Sequence, residues 1–194
     1  MTTWVGCSIS PKMNLPIFLT LLRILLIPGI VVALLTDFEG KELTAVAIFI
    51  VAALTDTLDG ILARRRKQIT ATGQLLDPVA DKLLIASAFI CLVELGAVSA
   101  WMVIIILGRE IAVTGFRALA SSKGIIISAN RLAKLKMLFE SITIVLLILG
   151  EKYLGSFYFL SQIGLWIVIA TAVISSVQYF VKYGPGVLST ESSK

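Results

Sequence analysis

Four aspartates give this sequence its clearest chemical signal. They follow the spacing Asp56-x2-Asp59-Gly60-x2-Ala63-Arg64-x8-Gly73-x3-Asp77-x3-Asp81. An ionised Asp near the centre of a membrane helix costs roughly 2.5–3.5 kcal/mol, so four of them in apolar helices require compensating cations. Carboxylate oxygens are hard ligands that suit Mg²⁺ or Mn²⁺. The spacing therefore predicts a site for two divalent metals, formed by Asp56, Asp59, Asp77 and Asp81.

Small residues and one arginine accompany the acids. Two divalent cations balance four negative charges and leave open coordination positions for phosphate oxygens. Gly60, Ala63 and Gly73 lack bulk, so a ligand can approach the helix backbone closely. Arg64 can bind a phosphate through its planar guanidinium. Each small residue taken singly is more typical of close helix packing, but in register with the acids they favour a phosphate-bearing ligand.

The elements that position this cluster are predicted to be membrane helices. Of the 194 residues, 58% are hydrophobic and 15% are charged, whereas soluble domains are nearer to about 45–50% and about 25%. The basic residues lie between hydrophobic stretches, which favours contact with lipid headgroups and argues against nucleic acid. The chain contains no histidine, which excludes Zn–His sites and Ser-His-Asp catalysis.

Six segments are apolar and long enough to cross a bilayer, whose core needs about 20 residues. They are residues 15–36, 43–63, 75–96, 99–120, 132–150 and 157–181. Lys and Arg are concentrated in alternate connections, and the positive-inside rule then places both termini in the cytoplasm. We predict an all-α integral membrane protein with six transmembrane helices and a cytoplasm-facing polar cavity.

The acids are expected to meet at the cytoplasmic end of the second and third spans. On a helix, the pattern from Asp56 to Arg64 forms one stripe, and Asp77 and Asp81 share a face. The polar stretch 64–73 suits the bend between two antiparallel helices. Other charges within spans, such as Arg109 and Glu110, favour a water-filled cavity, although Lys82 and Arg117 could also extend to the headgroups.

The aspartate pattern resembles the signature of the CDP-alcohol phosphatidyltransferase family at every defined position. Residues 13–28, 75–84 and 108–117 are similar to the branch of this family that forms phosphatidylglycerophosphate. The resemblance implies one membrane domain at 13–183, preceded by an extension at 1–12 and followed by a tail at 184–194. It also implies a six-helix fold in the cytoplasmic membrane, commonly a homodimer, with the active site facing the cytoplasm.

The resemblance implies a reaction and a role for each matching residue. Family members transfer a phosphatidyl group from CDP-diacylglycerol to an alcohol and release CMP. Asp56, Asp59 and Asp77 would be metal ligands, and Asp81 would be the general base and could also touch a metal. The residues that would line the CDP site are Gly60, Ala63, Arg64 and Gly73.

Glycerol 3-phosphate is the acceptor that the resemblance favours, and its dianionic phosphate needs fixed cations. Arg109 and Arg117 are eight residues apart on one predicted helix, and Lys134 matches a lysine that the family places near the acceptor. This sequence has Ala133 and Met137 where many relatives have glycine and threonine.

Several alternatives are open at this stage. Inositol phosphate, serine or phosphatidylglycerol could replace glycerol 3-phosphate as the acceptor. An ion-coupled transporter also uses intramembrane Asp and Arg, but the inverted repeats typical of such proteins are not evident. A structural membrane adaptor is the third possibility. Arg131 and Lys136 are interpreted equally well as pocket cations or as positive-inside charges.

Overall fold

The computed structural model describes residues 15–66, 71–122 and 131–188, and within them the side chains of residues 20–55, 79–122 and 136–181. All regular secondary structure in these ranges is helical, which confirms the predicted all-α class for the described residues. In chain order the helices are α1 (Leu15–Leu35), α2 (Lys41–Arg66), α3 (Ala71–Glu94), α4 (Ala100–Ser122), α5 (Arg131–Leu154) and α6 (Phe159–Leu188), with a 3-10 turn at Gly155–Tyr158.

Each predicted span corresponds to one helix, and the largest correction concerns the connection between α2 and α3. The sequence predicts a bend over residues 64–73, whereas α2 continues to Arg66 and α3 begins at Ala71. Arginine is a good helix former, and Gly within a helix costs only about 1 kcal/mol. Both helices therefore extend into the polar stretch, and residues 67–70 between them lie outside the described residues.

Glycines in the left-handed region end two of the helices. Gly96 has φ +71°, and its N–H donates to the Val93 carbonyl while the Ala97 N–H donates to the Leu92 carbonyl. These two bonds form a Schellman motif, which satisfies the last carbonyls of α3. Gly150 has φ +62° and ψ −171° and interrupts α5, so the regular part of that helix ends where the predicted fifth span ends.

The helices pack around a core that is rich in small residues. α1 packs against α2 and α3, α4 packs against α3 and α6, and α5 contacts α2, α3 and α6. Several alanines are completely buried, which allows neighbouring backbones to approach closely. These alanines are Ala45, Ala52, Ala80, Ala88, Ala120 and Ala172. Trp101 and Trp166 add an aromatic contact between α4 and α6, with ring centroids 6.0 Å apart.

The outer surface of the bundle is apolar. Leu25, Ile104, Ile111 and Val181 are each about 70% exposed, whereas contiguous apolar surface of this kind is rare on soluble monomers. Among the described residues, one helical run, Lys136–Val181, has the length and hydropathy to cross a membrane, and only 28% of its most apolar window is buried. Buried core helices of soluble proteins can also meet the length and hydropathy criterion, but this run is largely exposed.

A close contact between α5 and α6 provides a test of the packing. A Cβ added to Gly164 would lie 2.7 Å from Thr143 Oγ1, and Thr143 is buried with its hydroxyl bonded to the Phe139 carbonyl. We expect Gly164→Ala to lower the free energy of unfolding by about 1–3 kcal/mol, the usual cost of overpacking. Thermal unfolding in detergent measures the change.

Gly29→Ala is the matched control, since a Cβ at Gly29 has no neighbour within 4 Å. This substitution should leave stability unchanged or raise it by up to about 1 kcal/mol, because alanine is the better helix former. Equal unfolding temperatures for the Gly164→Ala variant and the wild type would contradict the close packing.

Candidate active site

The helix boundaries bring the four aspartates of α2 and α3 to matched heights. Asp59 precedes the end of α2 by about as many residues as Asp77 follows the start of α3, roughly 9–10 Å at 1.5 Å per residue. Asp56 and Asp81 are both roughly 15 Å from the same connection. Counted along the helices, the acids therefore form two pairs, each at a similar distance from the connection, and α2 and α3 contact each other. The side chains of Asp56, Asp59 and Asp77 lie outside those described, as do those of Gly60, Ala63, Arg64 and Gly73.

A buried arginine on α1 lies beside this part of α2. Arg23 is completely buried, and its Nε donates to the Ala52 carbonyl at 3.3 Å. Ala52 precedes Asp56 by one helical turn, so a fixed positive charge enters the bundle next to the acidic stripe. The same carbonyl accepts a bond of 2.6 Å from the Thr55 hydroxyl. The sequence signals only that Arg23 is a charge within a span and does not indicate this contact.

On α3, Asp81 is followed by a lysine that contacts α4. Lys82 Nζ donates to Thr114 Oγ1, and the Thr114 hydroxyl donates to the Glu110 carbonyl at 2.7 Å. Lys82 is also within electrostatic range of Asp81, Arg109 and Arg117. The predicted roles of Asp81, Arg109 and Arg117 stay predictions. Lys82 therefore contacts α4 through Thr114, and its extension to the headgroups stays a prediction.

Glu110 joins cations from two helices. Its Oε1 accepts from the Nη1 of Arg109, its neighbour in the chain, and from Lys136 Nζ on α5 at 2.7 Å. Lys136 is only 7% exposed, so it lies inside the bundle and not on its surface. The side chain of Lys134 lies outside those described, and its predicted role in binding the acceptor phosphate stays a prediction.

Glu140 is the most deeply buried acid in the described part of the chain. Its carboxylate lies 3.7 Å from Lys136 Nζ, one turn away on α5, which is an ion pair too long for a hydrogen bond. Among the described side chains, neither of its oxygens has a hydrogen-bond partner, and the buried Nε of Arg109 also has none. Arg109, Glu110, Lys136 and Glu140 thus form a charge-neutral set, which we call the α4–α5 cluster.

The opposite end of the bundle holds ordinary surface ion pairs. Lys152, after the break in α5, pairs with Glu42 at the start of α2 at 3.1 Å, and Lys41 pairs with Asp37 at 2.6 Å. The Lys41 ammonium lowers the pKa of Asp37, and the hydrogen bond to Glu42 raises the pKa of Lys152. A backbone hydrogen bond lowers the pKa of Glu42, and the hydrogen bond from Lys152 lowers it further. This end carries none of the predicted site residues.

Comparison with known proteins assigns the chain to a family. Residues 13–174 match the model of the CDP-alcohol phosphatidyltransferase family. A Bacillus subtilis protein named CDP-diacylglycerol–glycerol-3-phosphate 3-phosphatidyltransferase is 39% identical over 183 residues, covering 87% of this chain and 94% of that protein. Proteins of the same name from Rickettsia felis and Rickettsia typhi are each 34% identical over 169 residues, covering 86% of this chain and 93% and 95% of theirs.

The buried contact of Arg23 generates a prediction for stability. Arg23→Lys keeps the charge but loses the Nε donor to the Ala52 carbonyl. We expect a loss of about 1–3 kcal/mol in unfolding free energy, the cost of a buried group left without its hydrogen bond. Lys152→Met, which removes an exposed cation from the Glu42 pair, is the control and should change stability little. Equal effects of the two substitutions, measured by thermal unfolding, would argue against the structural importance of Arg23.

Proposed function

Because this chain belongs to the CDP-alcohol phosphatidyltransferase family, we propose that it transfers the phosphatidyl group of CDP-diacylglycerol to glycerol 3-phosphate and releases CMP. The chain is a membrane-associated phosphatidyltransferase, and it covers nearly the whole length of relatives that carry the name of this reaction. That match is the observation that carries the assignment. The side chain of Arg109 on α4 is largely buried, and a fixed cation inside the bundle supports the choice of a phosphate-bearing acceptor.

We propose that residues 13–183 form one domain with six transmembrane helices, with the 1–12 extension, the 184–194 tail and the active site all in the cytoplasm. The apolar exterior and the burial of charge inside the bundle support this arrangement. The concentration of Lys and Arg near the α2–α3 connection supports the orientation in the cytoplasmic membrane. A homodimer follows from the family resemblance and is proposed on that ground alone.

Two divalent metals, Mg²⁺ or Mn²⁺, are proposed at the acidic levels of α2 and α3. Asp56, Asp59 and Asp77 would hold them, and the matched heights of these residues on two contacting helices fit such a site. Bound metals would stabilise the negative charge that develops on the pyrophosphate oxygens of the departing CMP. In the same proposal, the CDP moiety lies against Gly60, Ala63, Arg64 and Gly73.

Asp81 is proposed as the general base. It takes the proton of the acceptor hydroxyl, whose oxygen then bonds to the phosphatidyl phosphorus while the bond from that phosphorus to the CMP oxygen breaks. CMP leaves with the electron pair of that bond. Arg109, Arg117 and Lys134 are proposed to bind the acceptor phosphate, which would hold the hydroxyl within reach of Asp81.

An assay of acceptors tests the reaction. The purified protein, given CDP-diacylglycerol and Mn²⁺, should release CMP with glycerol 3-phosphate and much less with inositol phosphate, serine or phosphatidylglycerol. A chelator should abolish the release, and either Mg²⁺ or Mn²⁺ should restore it, because the carboxylates alone cannot compensate the pyrophosphate. CMP release with another alcohol but not with glycerol 3-phosphate would overturn the proposed acceptor, and ion transport without CMP release would indicate a transporter.

Substitution of single aspartates distinguishes the proposed general base from the proposed metal ligands. We expect Asp81→Ala to lower turnover by about 10²–10⁴-fold, the contribution of a general base, while binding of CDP-diacylglycerol largely survives. Asp59→Ala should weaken both turnover and Mn²⁺-dependent nucleotide binding. Asp37→Ala, at the opposite end of the bundle, is the control and should keep full activity. Wild-type turnover in the Asp81→Ala variant would exclude the proposed base.

A further inference from the structure

The α4–α5 cluster contains two acids and a lysine that the proposed reaction does not use. Glu110, Lys136 and Glu140 are 18%, 7% and 1% exposed at their side chains. A buried ion pair is a weak source of stability, since the loss of hydration roughly offsets the attraction between the charges. Stability alone therefore does not explain the cluster, and we ask which side chain it holds in place.

The contacts of Lys136 argue against a direct role in binding phosphate. Its ammonium lies between two carboxylates, 2.7 Å from Glu110 Oε1 and 3.7 Å from Glu140 Oε2. The Glu110 carboxylate already pairs with this ammonium and Glu140 is a second acid beside it, so Lys136 offers little net attraction to a phosphate dianion. Lys136 instead links α5 to the Glu110 carboxylate on α4.

Glu110 in turn fixes one side of the Arg109 guanidinium. The bond between them uses Nη1, which leaves the edge formed by Nε and Nη2. Nε is buried and has no hydrogen-bond partner among the residues that the structure describes. That edge is the one through which arginine forms two parallel bonds to a phosphate or carboxylate. Glu110 thus fixes the Nη1 side of the guanidinium, and it does not occupy the Nε–Nη2 edge.

We infer that Glu110, Lys136 and Glu140 are positioning residues that orient Arg109, so that its Nε–Nη2 edge receives the phosphate of the acceptor. This inference rests on the proposed function and assigns the acceptor specificity to the whole α4–α5 cluster. Lys82, the chain neighbour of Asp81, contacts Thr114 on the helix that carries Arg109. Glu140 contributes the second anion that keeps Lys136 between the two helices.

Steady-state kinetics of Lys136→Met test this role. We expect the KM for glycerol 3-phosphate to rise about tenfold, the scale expected when one charge-assisted hydrogen bond is lost, while the KM for CDP-diacylglycerol stays within about twofold. With glycerol, which lacks the phosphate, the variant and the wild type should show equal kcat/KM. Lys152→Met removes a lysine that is also paired with a glutamate, but at the other end, and should change neither KM.

Further variants separate positioning from folding. Lys136→Met/Glu140→Gln removes the uncompensated carboxylate and should regain stability, yet its KM for glycerol 3-phosphate should stay high because Glu110 is still not held. Arg109→Met/Lys136→Met should be no worse than Arg109→Met alone, since the two residues act through one contact. If Lys136→Met does not fold, Glu110→Gln gives the same KM test, and Lys136→Arg should restore most of the acceptor affinity.

The outcomes distinguish this inference from the proposed function. A wild-type protein that uses glycerol 3-phosphate, with an unchanged KM in both Lys136→Met and Glu110→Gln, would overturn the positioning role alone. An equal loss with glycerol and glycerol 3-phosphate would also overturn it, because the effect would not depend on the phosphate. A wild-type protein that releases no CMP with glycerol 3-phosphate would instead overturn the proposed function.

Discussion

The cost of placing charge inside an apolar bundle is the constraint on which the rest of this structure depends. An ionised group in such surroundings is tolerated only when another charge or a hydrogen bond compensates it. The described interior follows this rule at two places, where Arg23 bonds the backbone of α2 and where Lys136 lies between two glutamates. Both places border helices that carry the aspartates, so compensation is concentrated where the chemistry is expected.

Close packing of the helices is what makes this compensation possible. If the apolar exterior faces lipid, association of helices gains little from the hydrophobic effect, and complementary packing and polar contacts must hold them together. Alanines such as Ala52 and Ala88, both fully buried, allow the helix axes to approach. Short distances between backbones then allow a side chain such as Arg23 to reach a carbonyl of the neighbouring helix. Charge compensation inside the bundle therefore depends on close packing of the helices.

The sequence predicts the features that depend on local spacing and misses those that depend on contacts between helices. The six helices and the turn at Gly96 follow from hydropathy and from the conformational freedom of glycine. The pairing of Arg109 with Glu110 could not be predicted, because successive residues on a helix point in different directions. Lys136 was equally compatible with a surface position, since its burial depends on where α5 meets α4. The ends of α2 and α3 also differ from the predicted bend, because helix propensity prevails over polarity there.

Specificity for the acceptor alcohol depends on contacts between helices more than on local spacing. The proposed metal and CDP residues lie on the neighbouring helices α2 and α3, so a single spacing pattern can specify them. The proposed acceptor residues come from α4 and α5, and the geometry of Arg109 depends on bonds such as those of Glu110 to Arg109 and Lys136. Related chains could therefore keep the hairpin unchanged and alter the acceptor by changing the residues that orient Arg109. Recognition of the acceptor thus depends on which contacts hold that side chain as much as on its presence.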